Sequence, residues 1–586
     1  MASIELFLCS AEGGQTLREG LEERALAHTG ASVGDARPTV SPVWGADPNS
    51  LADQGWGVIA PRGPEGDRLL ELVRPLIERR SEDCGREVRV YRVPPALDAA
   101  QSVAWVDRVF RSNELQEDVP WYMLVLGQPE QVSLELQQVL SNSSLVGRLA
   151  FDDDGHYEAY AAKILGWERQ QQGAELARAL FFTAMDGTGA TALGHESLML
   201  PTIADAHERM SKSAFPVSEI LPIEGAASDA GNRLLAAAAA GGPSILLSCS
   251  HGLGPPRSGW PSLDHQLALQ GALSLGGGEQ ISGESVAGRP FLPGGMWFFF
   301  ACFSAGTPAR SAYHHWLARL ARLGEFGPDL DAVLAALPGS GDPPFIASLP
   351  KAALANPRGP LAVIGHLDLA WSYGFQDIEK FRDKARHRRF QGPLREMARG
   401  SRAGLALHSL LEHRAAVQTE LTVAADAAAE AEERAGEPMD DEARLGHRWM
   451  LHQDLDGYIL LGDPAARLSI ESHGARRGRE QRARSNAPAS IVSAPPLAAS
   501  STAQAGDTSA GSVSAAVEVG GLRIAAVVEI VRAAIAIEES LAALAARYRV
   551  DMTGATAAAL EALAAKHGVS TADLSDWVAR VRRTNA

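Results

Sequence analysis

The sequence predicts an α/β protein whose central part is a three-layer α/β/α sandwich with a mostly parallel sheet. Two apolar runs carry this prediction: residues 244–250 read Ser-Ile-Leu-Leu-Ser-Cys-Ser, and residues 296–301 read Met-Trp-Phe-Phe-Phe-Ala. Continuous apolar runs of this length, bounded by Gly and Pro, are typical of central strands that are covered on both faces. Ligands of such sheets bind at the carboxyl ends of the strands, so a site is expected there.

Each of these two runs leads into a reactive side chain. His251 follows the first run and Cys302 follows the second. A thiol is mostly protonated at neutral pH and its thiolate is the nucleophile, so an imidazole on the same rim can take the proton. The backbone N–H groups of Gly252 and Cys302 can form an oxyanion hole, in which each donor contributes about 3 kcal/mol. These residues indicate nucleophilic catalysis by Cys302.

Four motifs resemble the caspase-like (clan CD) cysteine peptidases, and the bacterial gingipain-like and CHAT-type members more than the animal caspases. They are Ser-His-Gly at 250–252, Ala-Cys-Phe-Ser-Ala-Gly at 301–306, Leu-Ala-Val-Ile-Gly-His-Leu-Asp-Leu-Ala-Trp at 361–371 and Leu-Leu-Gly-Asp-Pro-Ala at 460–465. His251 and Cys302 are 51 positions apart, close to the separation of about 50 in caspases. The resemblance implies a dyad of these two residues that hydrolyses peptide bonds of protein substrates. The animal signature Gln-Ala-Cys-x-Gly is absent.

Two acidic residues are candidates for the substrate-binding S1 pocket. Asp186 ends the apolar run at 179–184, and in relatives that cut after Arg or Lys an acidic residue at such a strand end pairs with the substrate cation. We therefore expect cleavage after a basic residue, although an Asp in Asp-Gly-Thr-Gly is equally a turn residue. Asp368 either lines the same pocket or caps a turn. Cys249 lies inside its strand and is interpreted as core packing.

Length and composition restrict the class of protein. The chain has 586 residues, a formal net charge of -17 and four dispersed cysteines. This length predicts three or four domains, and the acidic balance argues against a nucleic-acid binder. The charge fits either a cleft for basic substrates or a solvated acidic surface. Without Cys pairs, a signal peptide or a membrane span, we expect a cytoplasmic protein with no disulfide framework and no zinc site; peptide-bond cleavage by the dyad needs no metal or other cofactor.

The chain is predicted to have four parts. Residues 1–170 form a supporting α/β lobe, residues 171–472 the peptidase domain, residues 473–514 a flexible linker that is first basic and then rich in Pro, Ala and Ser, and residues 515–586 a small C-terminal helical domain. Residues 412–444 are an acidic helical insertion. It is either an exposed helix pair or, as the resemblance implies, a regulatory segment that is cut during activation.

The resemblance also implies regulation, as in bacterial relatives that serve antiviral defence or cell death. A zymogen switched on by an upstream protease or a defence complex is expected, with the basic linker as a second candidate processing site. Two rival functions stay open. One is a non-catalytic caspase-like scaffold that recruits partners through the helical domain, and the other is a different cysteine hydrolase or acyltransferase on a similar sheet.

Overall fold

The structure is a computed structural model. It divides into two units, Met1–Pro488 and Ala489–Ala586. The predicted linker at 473–514 and almost all of the predicted helical domain at 515–586 lie outside the described residues. The described residues are 3–11, 20–22, 24–25, 46–111, 119–169, 176–223, 227–256, 258–339, 342–376, 386–433, 442–470, 518–519, 522–523 and 570–572.

The strands of the described residues are short, and most of them are buried. Apolar and β-branched residues dominate those of the central sheet, as expected for strands covered on both faces. They are β1 Ser3–Glu5, β2 Leu8–Ser10, β3 Gly20–Glu22, β4 Trp56–Pro61, β5 Arg89–Val93, β6 Tyr122–Leu126, β7 Leu145–Leu149, β8 Ala177–Thr183, β9 Val217–Ile223, β10 Ser244–Cys249, β11 Gly252–Gly254, β12 Leu273–Gly276, β13 Glu279–Ile281, β14 Met296–Phe300, β15 Gly306–Thr307, β16 Phe345–Ile346, β17 Ala362–His366, β18 Tyr458–Gly462, β19 Glu518–Val519 and β20 Leu522–Arg523.

Helices connect most of these strands. In the acidic insertion predicted at 412–444, the structure has the end of one long helix and the start of the next. In the described part of the chain, no helix is long and apolar enough to cross a membrane. The helices are α1 Leu51–Gln54, α2 Pro64–Leu72, α3 Arg74–Cys84, α4 Ala99–Val106, α5 Leu134–Leu140, α6 Asp154–Arg169, α7 Gly189–Gly194, α8 Leu200–Ser211, α9 Ala227–Ala239, α10 Leu263–Leu269, α11 Gly283–Ala287, α12 His314–Arg322, α13 Pro328–Ala336, α14 Ser348–Ala355, α15 Arg388–Ala398, α16 Ala403–Glu433 and α17 Glu442–Asp456.

One ten-stranded sheet runs through the first unit in the order β5-β4-β6-β7-β18-β17-β14-β10-β8-β9. All neighbours are parallel except β17 and β18, which pair antiparallel. The sheet therefore has two parallel halves that run in opposite directions, and their strands end at opposite edges. The mostly parallel sheet is as predicted, and β4 to β7 of the predicted supporting lobe at 1–170 continue the same sheet.

Side chains on opposite faces of β14 pack into different cores. Trp297 and Phe299 belong to one buried apolar cluster, which includes residues of α6 and α14. Phe298 and Phe300 belong to the other, which includes residues of α12, α15 and α16. Because successive side chains of a strand point to opposite faces, helices cover the sheet on both sides. The predicted three-layer α/β/α sandwich is confirmed.

A buried ionic cluster connects the end of β18 with β4, α3 and α6. Asp463, directly after β18, accepts hydrogen bonds from Arg80 Nη2 at 2.8 Å and from Trp56 Nε1 at 2.9 Å. Arg80 also donates to Glu168 Oε1 at 2.6 Å. Both Arg80 and Asp463 are fully buried, so each charge is compensated by its partner rather than by water. Asp463 is therefore a structural residue directly after β18.

A smaller four-stranded sheet lies beside the edge at which β10 and β14 end. Its order is β13-β12-β11-β2, and it includes the hairpin predicted between residues 252 and 295. Its last strand, β2, was assigned by sequence to the supporting lobe. The structure instead pairs β2 in parallel with β11, directly after His251. Residues 8–10 therefore pair with a strand of the chain that follows residue 171.

Candidate active site

Four of the five residues predicted for the site, Asp186, His251, Cys302 and Asp368, follow the carboxyl ends of four adjacent strands, and Gly252 comes directly after His251. β8, β10, β14 and β17 are consecutive and parallel in the large sheet, so they end at one edge. In the ladder between β10 and β14, Cys249 is paired with Phe300. His251 and Cys302 each lie two residues beyond this pair. Both residues therefore lie at the same edge of the sheet.

The main chains of the two candidate catalytic residues touch. A Cβ added to Gly252 would lie 1.8 Å from the carbonyl oxygen of Cys302 and 3.0 Å from its nitrogen. Only a residue without a side chain allows this approach. The glycine next to His251 therefore sets the separation of the two strand ends.

The thiol of Cys302 is fully buried. Its Sγ accepts a hydrogen bond from the Ala370 N–H at 3.2 Å and donates to the Ala370 carbonyl at 3.7 Å. Burial raises the pKa of the Cys302 thiol well above its usual value, and the N–H of Ala370 opposes this shift only in part. The thiol is therefore protonated in this conformation.

The imidazole of His251 is held through its Nε2 by Thr188 and Asp186. Its Nε2 lies 2.9 Å from Thr188 Oγ1 and 3.6 Å from Asp186 Oδ2, and the Thr188 hydroxyl donates to Asp186 Oδ1 at 2.8 Å. With the Nε2–H directed at these oxygens, Nδ1 keeps its lone pair. Nδ1 is buried and has no hydrogen-bond partner among the described residues. Burial lowers the pKa of His251, while the charge of Asp186 and the backbone of Phe7 oppose this shift.

Among the described residues, no hydrogen bond joins the side chains of His251 and Cys302. His251 is bonded to Thr188, and Cys302 is bonded to Ala370. Catalytic hydrogen bonds are often formed only when a substrate is bound. The arrangement thus has a free imidazole nitrogen and a thiol on neighbouring strand ends.

The predicted oxyanion hole has both of its donors directed at one oxygen. The N–H of Gly252 donates to the carbonyl of Phe7 at 2.8 Å, and the N–H of Cys302 donates to the same carbonyl at 3.4 Å. Two N–H groups that converge on one carbonyl oxygen are the arrangement that stabilises a developing oxyanion. In this structure the carbonyl belongs to the chain itself.

The two candidate S1 residues lie on the same edge and differ in their contacts. Asp186 accepts from the hydroxyls of Thr188 and Thr191 and faces His251. Asp368 accepts from the Ser311 hydroxyl at 2.9 Å, and burial raises its pKa to about 6. Both carboxylates are thus engaged by neutral groups of the chain itself.

Sequence reasoning missed Thr188 and Phe7. Thr188 is the N-cap of α7, and the Asp-Gly-Thr-Gly turn that was seen in the sequence is the signal that could have indicated it. Phe7 lies in a short apolar run far from the motifs, with no residue pattern that connects it to the site.

Three comparisons with known proteins complete the description. No protein-family model matches the chain, and no curated protein matches its sequence. Among solved structures, it is similar to gingipain R (RGPB), an Arg specific cysteine proteinase, with 12% identity and a TM-score of 0.42 over 73% of this chain and 80% of that chain. It is also similar to a complex of Porphyromonas gingivalis RgpB pro- and mature domains, with 13% identity and a TM-score of 0.39 over 70% of this chain and 79% of that chain. A third, titled only as a protease, has 10% identity and a TM-score of 0.41 over 70% of this chain and 78% of that chain.

Proposed function

We propose that the chain is a cysteine endopeptidase in which Cys302 is the nucleophile and His251 the general base and acid. One observation supports this most directly. The N–H groups of Gly252 and Cys302 bind a single peptide carbonyl beside a thiol and an unpartnered imidazole nitrogen. This is the set of groups that acyl transfer from a peptide requires.

The reaction proceeds in two halves. The Cys302 thiol gives its proton to His251, and the thiolate attacks the carbonyl carbon of the substrate, whose oxygen is bound by the two N–H donors. The imidazolium then protonates the leaving amine as the C–N bond breaks, which leaves a thioester on Cys302. Water, deprotonated by His251, hydrolyses this thioester. Each N–H donor contributes about 3 kcal/mol by binding the oxyanion better than the ground-state carbonyl.

Thr188 and Asp186 act as positioning residues for His251. The hydrogen bond from Nε2–H to Thr188 keeps the tautomer in which Nδ1 is the acceptor. The carboxylate of Asp186, 3.6 Å from Nε2, stabilises the imidazolium that forms during attack. In this assignment the role of Asp186 lies with the base, so the preference for Arg or Lys that rested on it stays a prediction from sequence.

Regulation belongs to the same proposal. Activation by an upstream protease or a defence complex, processing in residues 412–444 or 473–514, and a role in bacterial defence or cell death stay predictions from the resemblance. That the substrates are proteins and that the chain acts in the cytoplasm also stay predictions from the sequence.

A non-catalytic scaffold is the second candidate, and the full burial of Cys302 and His251 favours it. The two functions differ in the fate of the thiol. A peptidase hydrolyses a fluorogenic peptide, forms a thioester on Cys302 and loses at least about 10³-fold in turnover in Cys302→Ala. A scaffold gives no turnover in either form.

A panel of peptides ending in Arg, Lys, Asp, Phe or Leu before a fluorogenic amine tests the proposal. Cys84→Ala is the matched control, because Cys84 is a second buried free thiol that lies in α3 and in the other apolar cluster. Turnover that survives in Cys302→Ala, or that is lost equally in the control, would contradict the assignment of the nucleophile.

A further inference from the structure

Residues 4–10, here called the covering segment, lie over the candidate dyad. The segment consists of the end of β1, Leu6, Phe7 and β2. Its Phe7 is fully buried, its carbonyl accepts both oxyanion-hole N–H groups, and its ring lies 6.0 Å from the ring of His251. His251 and Cys302 have no exposed surface while this segment is in place.

The covering segment is held in the way that an extended peptide is held by a sheet edge. Before Phe7, Leu6 forms an antiparallel bridge with Trp371, and the Phe7 N–H donates to the Ala370 carbonyl at 3.3 Å. After Phe7, β2 pairs with β11. Main-chain bonding of this kind gives a sheet edge its affinity for any extended peptide. Ala370 contacts both the segment and the thiol, so the bound backbone passes the nucleophile directly.

The side chain of Phe7 occupies a pocket with apolar walls. Its ring centroid is 4.8 Å from that of Phe300 and 6.1 Å from that of Phe375. On another side of the pocket, the absence of a side chain at Gly194 leaves space for the Phe7 ring. A Cβ there would lie 3.3 Å from the Phe7 ring and 2.7 Å from Cys249 Sγ. Walls made of aromatic rings and a neutral thiol match a large apolar side chain.

We propose that this pocket selects a large apolar residue, best an aromatic one, immediately before the cleaved bond, and that the covering segment occupies the peptide site as an intramolecular substrate mimic. The inference rests on the proposed function and names its substrate class. Phe7 marks the position whose carbonyl enters the oxyanion hole, so its side chain marks the specificity pocket. The same contacts that identify the pocket exclude an external peptide until the segment leaves.

The covering segment itself provides the first test, through substitutions of Phe7 in the full chain. Iodoacetamide is small and does not depend on the specificity pocket, so the labelling rate of Cys302, followed by peptide mapping, measures how often the site is open. We expect slow labelling in the parent and in Phe7→Leu, and labelling at least about tenfold faster in Phe7→Ala and Phe7→Arg. Fast labelling of Phe7→Leu with slow labelling of Phe7→Arg would mean that the pocket is built for a cation, and equal rates in all four would mean that the segment does not cover the site.

Two further variants separate opening from loss of fold. Gly254→Ala leaves Phe7 intact but brings a Cβ to 2.7 Å from Leu8 Cδ1, so it should also displace the segment and accelerate labelling. Phe215→Ala is the matched control, because Phe215 is a buried Phe of the same core outside the site, and it should label Cys302 as slowly as the parent. Fast labelling of Phe215→Ala would show that lost stability alone exposes the thiol and would overturn the inference.

Peptide turnover in the opened Phe7→Ala chain tests the substrate class. We expect kcat/KM for a peptide ending in Phe to exceed that for the matched Arg peptide by at least about tenfold. Turnover that favours Arg would overturn the apolar pocket while leaving the peptidase function intact. If iodoacetamide labels Cys302 rapidly in Phe7→Ala but the unlabelled Phe7→Ala chain turns over no peptide, the proposed function is refuted, and the inference with it.

Discussion

Gly252→Ala should separate the dyad without changing any catalytic side chain. The new Cβ would lie 1.8 Å from the Cys302 carbonyl oxygen and 2.7 Å from its carbonyl carbon. Non-bonded heavy atoms are comfortable at about 3.5 Å, so the two strand ends must move apart by about 1.5 Å. A misplacement of about 1 Å costs on the order of 10²-fold in rate. We therefore expect kcat/KM to fall at least 10²-fold, or about 3 kcal/mol of transition-state stabilisation.

The assay is hydrolysis of the best fluorogenic peptide in the Phe7→Ala background, together with the thermal midpoint of each variant. Gly166→Ala is the control, because a Cβ on this glycine of α6 would meet nothing within 4 Å. It should keep full turnover and gain slightly in helix stability. A folded Gly252→Ala enzyme whose turnover stays within threefold of its parent would refute the close approach as a requirement of the site.

Three further predictions concern the pocket, the core and the response to pH. Gly194→Val should reduce kcat/KM for a Phe peptide at least about tenfold but affect an Ala peptide much less, because the valine fills the space of the aromatic ring. Asp463→Ala should lower the free energy of unfolding in urea by about 1–3 kcal/mol, since Arg80 keeps Glu168 while one of its buried N–H groups and Trp56 Nε1 lose their acceptor. Burial lowers the pKa of His447 to about 3, so the unfolded chain binds the extra proton below pH 6.5, and acidification from pH 6.5 to 5 should cost about 2 kcal/mol of stability from this residue.

Each of these predictions has a control that the chain supplies. Asp152→Ala removes an exposed ion pair with Lys351 and should cost less than about 1 kcal/mol. His447→Gln should flatten the slope of stability against pH, and an unchanged slope would assign it to other groups. For Gly194→Val, an equal loss with the Phe and Ala peptides would mean that the fold, rather than the pocket, has been damaged.

Much of the fold could be predicted from the sequence, because local residue patterns determine its strands. The runs at 244–250 and 296–301 are strands with side chains buried on both faces, and the residue after each run reaches the expected edge. The boundary predicted at residue 170 falls within one continuous sheet, because β7 pairs with β18. Nothing local to β7 or β18 encodes that they are neighbours, since their pairing depends on residues more than 300 positions apart.

The site could be predicted only where chemistry is concentrated in a motif. His251, Gly252 and Cys302 lie next to strand ends, and their residue types declare a nucleophile, a base and an oxyanion donor. Asp186 was a candidate because it also follows a strand end. Its contacts with Thr188 and Thr191 could not be predicted, because an Asp after a strand can either bind a substrate or stabilise a turn. The position of the covering segment could not be predicted from the sequence, since a short apolar strand has the same residue pattern in a core and in a substrate site.

Covering and protonation are two aspects of one equilibrium in this site. Under the covering segment, burial raises the pKa of Cys302 and lowers that of His251, so both groups are held neutral. A thiolate beside an imidazolium would be costly there, because two charges would leave water for a low-dielectric site. Departure of residues 4–10 returns solvent to both groups and at the same moment frees the two oxyanion donors from the Phe7 carbonyl. The reactive ionic form and the accessible form are therefore favoured together, and a covered molecule is protected both by steric exclusion and by an uncharged nucleophile.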